Sequence, residues 1–290
     1  ATDVHVGSTE HHAILHPAEY LRASGIGHRL LEVDQTGRLL LEGLASSNTP
    51  TTLVSVMHAN NETGVVHDVS ALRHAIPDAL LHSDAVQSFG KIPVNVGSMG
   101  VDFLSLSAHK IHGPKGVGAM FIRKGIDFKS HQQGGGQERN RRAGTEPVAL
   151  IVGFAMAARR AAQAMEERTT HMISLITEAR RAVVESIPNI HINTPEDGAL
   201  PNILNISFRD AATLDGEAIL QTMDMEGIAV SNGSACVSGS LQPIHVLLAM
   251  CLPPSEAKAA VRISVSKDTT PQEIGTAVTL LSKIIRGLRV

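Results

Sequence analysis

The residue types best suited to chemistry come together in one short segment, Ser107-Ala108-His109-Lys110, which follows an apolar run. In open α/β sheets, ligands bind beyond the carboxyl ends of the strands. Ser107 and His109 are two residues apart, so they are expected to project to one side and Lys110 to the other. Burial at a strand end prepares a lysine to form a Schiff base. The alternative is a surface lysine in a glycine-rich turn.

Asp84 ends another short apolar run, and Gln87 follows three residues later. A carboxylate at a strand end can pair with the protonated pyridine nitrogen of a cofactor, a pairing that lets the ring accept electrons. Aspartate is also common as a helix N-cap. Taken alone, Asp84 favours the structural role.

Cys236 stands among small polar residues in the segment 231–240, which reads Ser-Asn-Gly-Ser-Ala-Cys-Val-Ser-Gly-Ser. A structural cysteine normally has apolar neighbours. A cysteine in a polar, glycine-containing loop is better placed to reach a substrate and to react as the thiolate. The other cysteine, Cys251, follows Leu247-Leu248-Ala249-Met250 and is predicted to be a core thiol.

Two weaker signals lie nearer the N-terminus. The segment Asn60-Asn61-Glu62-Thr63-Gly64 is typical of a turn, or of an amide directed at a ligand. His12 and His16 have the i,i+4 spacing of a helical metal site. No second pair completes such a site, so no resident metal is predicted.

The elements that must position these residues follow an alternating pattern. Short β-branched runs alternate with helical stretches, which predicts an α/β fold with a largely parallel sheet. A helical pattern from Pro147 to about Ile187 predicts a boundary near residue 160, between a large domain (1–160) and a smaller α+β domain (161–290). Strands are predicted at 53–58, 80–83, 102–107, 117–122, 203–208, 228–231 and 261–265, and later helices at 214–225, 243–249 and 271–286.

Composition excludes several classes of protein. With 43% hydrophobic and 18% charged residues in 290, disorder is excluded as the dominant state. A formal charge of -3 leaves no basic excess for phosphate backbones, which argues against nucleic-acid binding. The longest apolar run, 148–158, is too short to span a bilayer. Two distant cysteines form no disulfide framework, which predicts a reducing, intracellular compartment.

Taken in order, the motifs resemble those of cysteine desulfurases, specifically the NifS/IscS-like group of the class V aminotransferase family. Each motif alone is weak, but their shared order from about Glu10 to the C-terminus is specific. The motifs are His-Ala-Asn-Asn-Glu-Thr-Gly at 58–64, Asp84 with Gln87, Ser-Ala-His-Lys at 107–110 with Gly-Pro-Lys-Gly after it, Gly-Gly-Gly-Gln-Glu-Arg at 134–139 with Gly144-Thr145, and the segment 231–240.

The resemblance implies a fold-type I enzyme that depends on pyridoxal 5'-phosphate (PLP) and forms a homodimer. Its sheet is expected to be mostly parallel with helices on both faces, followed by the smaller α+β domain. The implied reaction converts L-cysteine to L-alanine and leaves the sulfur as a persulfide on the enzyme. The sulfur then passes to an iron–sulfur scaffold protein or another acceptor, in the cytoplasm or a mitochondrion, with no nucleic acid or membrane as partner.

By position, the resemblance also assigns the cofactor contacts. Lys110 binds PLP covalently, Asp84 pairs with the pyridine nitrogen, and Gln87 bonds the ring hydroxyl. His11 stacks on the ring. The remaining cofactor ligands are Asn61, Ser107 and His109, together with Thr145 contributed by the partner subunit.

The catalytic and substrate-binding roles are assigned in the same way. Lys110 later moves protons, and His11 is a candidate acid or base. Asn61 and Arg262 hold the substrate carboxylate, for which a guanidinium offers a bidentate grip. Cys236 attacks the substrate sulfur and is a candidate transient ligand of an iron–sulfur cluster.

The sequence departs from the family at its front. Family members carry a further stretch before Glu10, with a Gly-x-Thr-type loop that binds the cofactor phosphate at a helix N-terminus. We therefore expect an incomplete chain or a truncated variant. The segment Asn140-Arg141-Arg142-Ala143-Gly144 also differs from the usual Arg-Gly-x-Arg-Ser-Gly. The alternatives are another PLP enzyme of this fold, such as an aminotransferase or a selenocysteine lyase, and a non-catalytic homologue.

Overall fold

A mostly parallel sheet forms the first part of the chain. The computed structural model describes residues 1–209, 214–233 and 243–289. Within these ranges the larger sheet has the order β2-β1-β3-β4-β5-β6, with β6 antiparallel to β5 and every other pair parallel. Its strands are β1 (Asp3–Gly7), β2 (Gly27–Leu31), β3 (Thr52–Ser55), β4 (Leu80–Asp84), β5 (Phe103–Ser107) and β6 (Gly118–Ile122).

A smaller antiparallel sheet follows, in the order β7-β8-β9. Its strands are β7 (Ile190–Ile192), β8 (Ile203–Phe208) and β9 (Val261–Ser264). The helices are α1 (His12–Ala23), α2 (Val69–Ala75), α3 (Val96–Met99), α4 (Gln137–Asn140), α5 (Val148–Gln163), α6 (Met165–Ser186), α7 (Gly216–Met225), α8 (His245–Ala249), α9 (Pro254–Ala259) and α10 (Pro271–Leu288), with 3-10 turns at Leu44–Ser47 and Ala108–Ile111.

Each sheet has its own aliphatic core. The central strands of the large sheet pack Val54, Leu81 and Leu104 against α2. The small sheet is covered by α6, α7 and α10. In α10, residues at helical spacing face inward, namely Ile274, Val278, Leu281 and Ile285. That helix begins with a capping box between Thr270 and Glu273, which satisfies N–H groups that the first turn leaves unpaired.

The predicted strands and helices are present, with three corrections, whereas β1, β2, β7, α1, α2, α3, α4 and α9 were not predicted. Residues 228–231 form no strand; Ser231 makes only an isolated bridge to Arg262. The predicted strand 117–122 is present as β6, which is an edge strand and is largely exposed. The long helical pattern from Pro147 is divided at Ala164 into α5 and α6.

The predicted boundary near residue 160 stays a prediction.

Among the described residues, no single helix is both long and apolar enough to cross a bilayer. Helices α5 and α6 taken together are long and apolar enough for a span, but they bend by 70° at their junction.

A buried histidine forms hydrogen bonds to neighbouring strands in the middle of the large sheet and makes the stability of the fold depend on pH. His82 is 7% exposed, and its two ring nitrogens lie 2.8 Å from Ser55 Oγ and 2.9 Å from Ser105 Oγ. Burial lowers the pKa of His82 to about 4. The unfolded chain therefore binds a proton at this histidine near pH 6.5, whereas the folded chain does not. The contribution of neutral His82 to the unfolding free energy is complete above pH 6.5 and is lost as pH falls toward 4.

We expect the wild type to lose about 3 kcal/mol more unfolding free energy between pH 7 and pH 4 than the variant His82→Gln. The variant is less stable at pH 7 but has a flatter pH profile, because glutamine does not titrate. Urea unfolding across this pH range measures the difference. His74→Gln, at an exposed histidine of α2, is the matched control. Parallel profiles for wild type and His82→Gln contradict the assignment.

Candidate active site

A cavity of about 630 Å³ opens beyond the carboxyl ends of β4 and β5, on the side facing β8 and β9. This volume lies in the range of ligand-binding clefts, and the position is where open α/β sheets bind ligands. Eight of the predicted site residues line it, drawn from both parts of the chain: His11, Asn61, Asp84, Gln87, Ser107, His109, Lys110 and Arg262.

Lys110 reaches the cavity from a 3-10 turn rather than from the strand. The chain leaves β5 at Ser107 and turns at once through Ala108–Ile111. As a result Lys110 is exposed and lines the same cavity as Ser107 and His109. The expectations that Lys110 is buried and projects away from these two residues are therefore wrong, because the extended-strand alternation ends at Ser107.

Ser107 and His109 meet as predicted. Ser107 Oγ and His109 Nδ1 lie 2.7 Å apart. After this turn the chain passes close to Ala108 at Gly113, where a Cβ atom would lie 2.8 Å from the carbonyl oxygen of Ala108. A hydroxyl and an imidazole on one turn give the cavity a polar edge that suits an anionic group.

Asp84 is the last residue of β4, and its carboxylate is only partly compensated. One oxygen accepts a 2.8 Å hydrogen bond from the Val86 backbone N–H, so the residue does cap a local turn. Burial raises the pKa of Asp84, while that hydrogen bond and the positive potential of His11 oppose the rise. Among the ion pairs of the described residues, none includes Asp84. A cationic ligand in the cavity would supply the missing charge.

His11 caps the N-terminus of α1 at the cavity wall. Its Nδ1 accepts a 3.1 Å hydrogen bond from the Ala13 N–H, so the neutral ring carries its proton on Nε2. Behind it, Glu10 is fully buried, and burial raises the pKa of its carboxyl well above the usual value, with Asp84 adding to the effect. Glu10 and Asp84 therefore share a region in which a carboxylate gains from a cationic neighbour.

Arg262 is held in the cavity by residues 200 positions away in the sequence. Its Nη1 donates to the Asn61 carbonyl oxygen at 2.8 Å and forms an ion pair with Glu62 Oε1 at 2.8 Å. Its Nε is buried without a partner. Burial raises the pKa of Glu62 although Arg262 opposes the rise. The Asn61 amide bonds Glu62, so in this structure it supports Arg262 indirectly.

Several lining residues escaped the sequence interpretation, among them Glu62, Lys91 and Asn202. Glu62 follows Asn61 directly, and its pairing with Arg262 carries no local signal. Lys91, in Gly90-Lys91-Ile92-Pro93, lies four residues after Gln87, a spacing that would have indicated a contact in a turn. Asn202 precedes β8 and presents a buried Oδ1 without a partner.

Two other predicted residues, Thr145 and Cys251, are not part of the cavity lining. Thr145 is exposed and is not part of the lining, so its contact with a partner subunit's cofactor stays a prediction. Cys236 lies outside the described residues. Cys251 is exposed, so its assignment as a core thiol is wrong. α8 ends just before it, and the left-handed backbone at Cys251 (φ 64°) sets it apart from the inward face that buries Leu247 and Met250.

The histidines of α1 form a small surface group. The rings of His12 and His16 stack with centroids 4.7 Å apart, and His245 lies 4.7 Å from His12. Within the described part of the chain, no three His, Cys, Asp or Glu side chains are arranged to hold a metal ion.

The residues of the cavity fit PLP. Asp84 is a half-buried carboxylate without an ion-pair partner among the described residues, and a protonated ring nitrogen would pair with it. Lys110 provides an amine for the aldehyde, and the Ser107–His109 pair provides a polar edge for the phosphate. The unpartnered Oδ1 of Asn202 and Nε of Arg262 leave hydrogen-bonding capacity for a polar ligand.

Comparisons with known proteins agree with this geometry. The family model for class-V aminotransferases matches residues 2–276. Cysteine desulfurase NifS of Azotobacter vinelandii is 42% identical over 283 residues, which cover 97% of this chain and 70% of that protein. Cysteine desulfurase IscS of Dictyoglomus turgidum is 41% identical, covering 97% of this chain and 71% of that protein.

A solved structure described as a NifS-like protein superposes with a TM-score of 0.89 at 34% identity, covering 99% of this chain and 76% of the other. The expected fold, a fold-type I α/β architecture with a mostly parallel sheet, is therefore confirmed. The motif resemblance is confirmed as well: the chain belongs to the class-V aminotransferase family and, within it, to the NifS/IscS-like cysteine desulfurases.

Proposed function

We propose that this chain uses PLP to convert L-cysteine to L-alanine and holds the released sulfur as a persulfide on Cys236. The observation that carries the proposal is the convergence of Lys110, Asp84 and Arg262 on one cavity in a chain of this family. The Lys110 amine suits the cofactor aldehyde, the Asp84 carboxylate suits the ring nitrogen, and the Arg262 guanidinium suits the substrate carboxylate.

Each of these side chains has a separate task. When bound, PLP supplies a ring that accepts electrons from the bonds that break. Asp84 keeps the proton on the ring nitrogen, since a buried carboxylate gains most from a cationic neighbour. Lys110 Nζ moves protons at the substrate carbons. Arg262 binds the substrate carboxylate through guanidinium nitrogens other than Nη1, which is paired with Glu62.

In the sulfur-transfer step Cys236 acts as the nucleophile. Its thiolate attacks the sulfur of the bound cysteine, and a new S–S bond forms. The substrate C–S bond breaks, its electron pair stays on carbon, and a proton completes the methyl group of alanine. His11 at the cavity wall is the candidate acid or base for this step, as the resemblance implies. The sulfur then leaves to an iron–sulfur scaffold or another acceptor in a reducing, intracellular compartment.

The proposed homodimer has a candidate interface. Helix α5 exposes Val148 (66%), Val152 (56%) and Met156 at i,i+4 spacing, and Met120 on the edge strand β6 is also exposed. Apolar residues in such a stripe are typical of protein contacts. Thr145, three residues before α5, would then stand close to the partner subunit.

We expect Val152→Glu to convert a dimer into monomers, because a charge would be buried at the contact. Sedimentation velocity at micromolar concentration measures the mass. Ile173→Glu, at an exposed apolar residue of α6, is the control and is expected to leave the mass unchanged. A monomeric wild type, or a dimer that survives Val152→Glu, contradicts this interface.

The activity itself is tested with purified protein, PLP, L-cysteine and a thiol reductant, which reduces the persulfide on Cys236 and releases its sulfur as sulfide. Visible absorbance is recorded before and after cysteine addition, and alanine and sulfide are measured together. Equal amounts of alanine and sulfur support the proposal. Amino-group transfer to a keto acid would indicate an aminotransferase, and preference for selenocysteine a lyase. A protein that takes up PLP but yields no product contradicts the proposal.

A further inference from the structure

We propose that Lys91 is a positioning residue for Gln87: its ammonium holds the Gln87 side-chain oxygen, so that the amide NH₂ is the group presented to the cofactor. This inference rests on the proposed function. It identifies a second lysine of the cavity that acts on the ring oxygen of PLP through another residue, without touching the cofactor itself.

The contacts that carry the inference join two residues of one turn. Lys91 Nζ donates to the Gln87 backbone carbonyl at 2.7 Å and to Gln87 Oε1 at 3.2 Å. Both residues line the cavity that contains Lys110 and Asp84. The ammonium therefore contacts both oxygens of Gln87, the residue expected to bond the cofactor hydroxyl.

The chemistry of the ammonium fixes the orientation of the amide. An ammonium can only donate hydrogen bonds, so the side-chain atom of Gln87 that it contacts must be the oxygen. The NH₂ group of Gln87 is consequently on the other branch of the amide. A donor there stabilises a ring oxygen that carries negative charge, whereas the opposite orientation would place two oxygens against each other.

Lys91 is itself held in place. Thr169 Oγ1 of α6 donates to the Lys91 carbonyl oxygen at 2.7 Å. Gly90, just before it, has a left-handed backbone (φ 75°), and a Cβ there would lie 2.8 Å from Ile111 Cγ2, beside Lys110. Burial, with a contribution from Lys110, lowers the pKa of Lys91 to about 8. The side chain thus remains mainly protonated at neutral pH and has a fixed backbone from which to act.

A lysine that merely closes its own turn is the competing explanation, and a cofactor-free experiment separates the two. The side-chain NH₂ resonances of Gln87 are identified in the ¹⁵N spectrum by their loss in Gln87→Ala. Lys91→Met is expected to shift them. Lys267→Met removes another cavity-lining cation, one that is paired with Asp268, and is expected to leave them in place.

The second experiment measures PLP dissociation constants. Lys91→Met and Gln87→Ala are each expected to weaken binding about tenfold, as for one lost hydrogen bond to a charged group. Because Lys91 acts through Gln87, Lys91→Met should add nothing in the Gln87→Ala background. Gln87→Glu keeps the contact with Lys91 but loses the donor, so its affinity should fall to that of Gln87→Ala. Urea midpoints check that each variant folds.

Two results would overturn the inference. One is a Gln87 side-chain signal that Lys91→Met shifts no more than Lys267→Met does. The other is additive losses of PLP affinity in the double variant. If the wild type binds no PLP, the proposed function fails by that result alone, while the cofactor-free spectrum still decides whether Lys91 orients Gln87.

Discussion

Replacing Lys110 by alanine is expected to lower alanine formation from L-cysteine by at least roughly a thousandfold, because this residue both binds the cofactor covalently and moves protons. Lys110 sits on the turn after β5, exposed to the cavity that Asp84 and Arg262 also line. Steady-state alanine production with saturating PLP measures the loss. Borohydride reduction followed by peptide mass analysis should place the cofactor on Lys110 in the wild type and on no lysine in the variant.

A lysine outside the cavity provides the control. Lys124 is exposed just after β6 and is not part of the lining, so Lys124→Ala should retain both activity and cofactor labelling. If Lys110→Ala still forms alanine at a rate close to the wild type, or if the label falls on Lys91 in the wild type, the assignment of the reactive amine is wrong.

The ends of the strands were predictable because two local rules coincide there. Short apolar runs predicted β4 and β5, and the polar residues at their carboxyl ends, Asp84 and Ser107, line the cavity. The residues alone favoured a capping role for Asp84, and its ligand role came from the resemblance. A parallel sheet brings these ends to one edge, so two residues 23 positions apart line one cavity without any long-range information in the sequence. Ser107 and His109 came together because both lie at the turn that follows β5.

The path of the chain beyond the strand ends was not predictable from alternation alone. Lys110 was expected to be buried and to face away from His109, but a 3-10 turn replaces the strand geometry at Ala108. Cys251 was misjudged in a similar way. Its apolar neighbours indicated a core position, and the left-handed backbone that follows α8 sets the thiol apart from them.

Contacts between distant segments carry the least local signal. The ion pair of Glu62 with Arg262 joins a turn after β3 to β9, and periodicity within either segment says nothing about it. The roles of Asn61 and Arg262 came from the resemblance and stay predictions, but the structure adds why the guanidinium is held in place. The Asn61 carbonyl and the Glu62 carboxylate fix Nη1 and leave Nε without a partner.

Cys236→Ala is expected to abolish persulfide formation and to reduce alanine production by at least roughly a hundredfold, while PLP binding is retained. The reason is that Lys110 and Asp84, which the proposal assigns to the cofactor, are untouched, whereas the nucleophile for the substrate sulfur is removed. Trapping with an alkylating reagent, followed by mass analysis of the intact chain after one turnover, detects the added sulfur.

The chain supplies its own matched control, since its two cysteines are Cys236 and Cys251. Cys251 is exposed at the end of α8, so alkylation reaches it as well, and Cys251→Ala should keep the added sulfur and the activity. The visible spectrum of Cys236→Ala should still respond to L-cysteine, because the substrate carboxylate and amine meet the same residues. Sulfur that remains on the Cys236→Ala chain and disappears from Cys251→Ala would reverse the assignment and make the end of α8 the sulfur carrier.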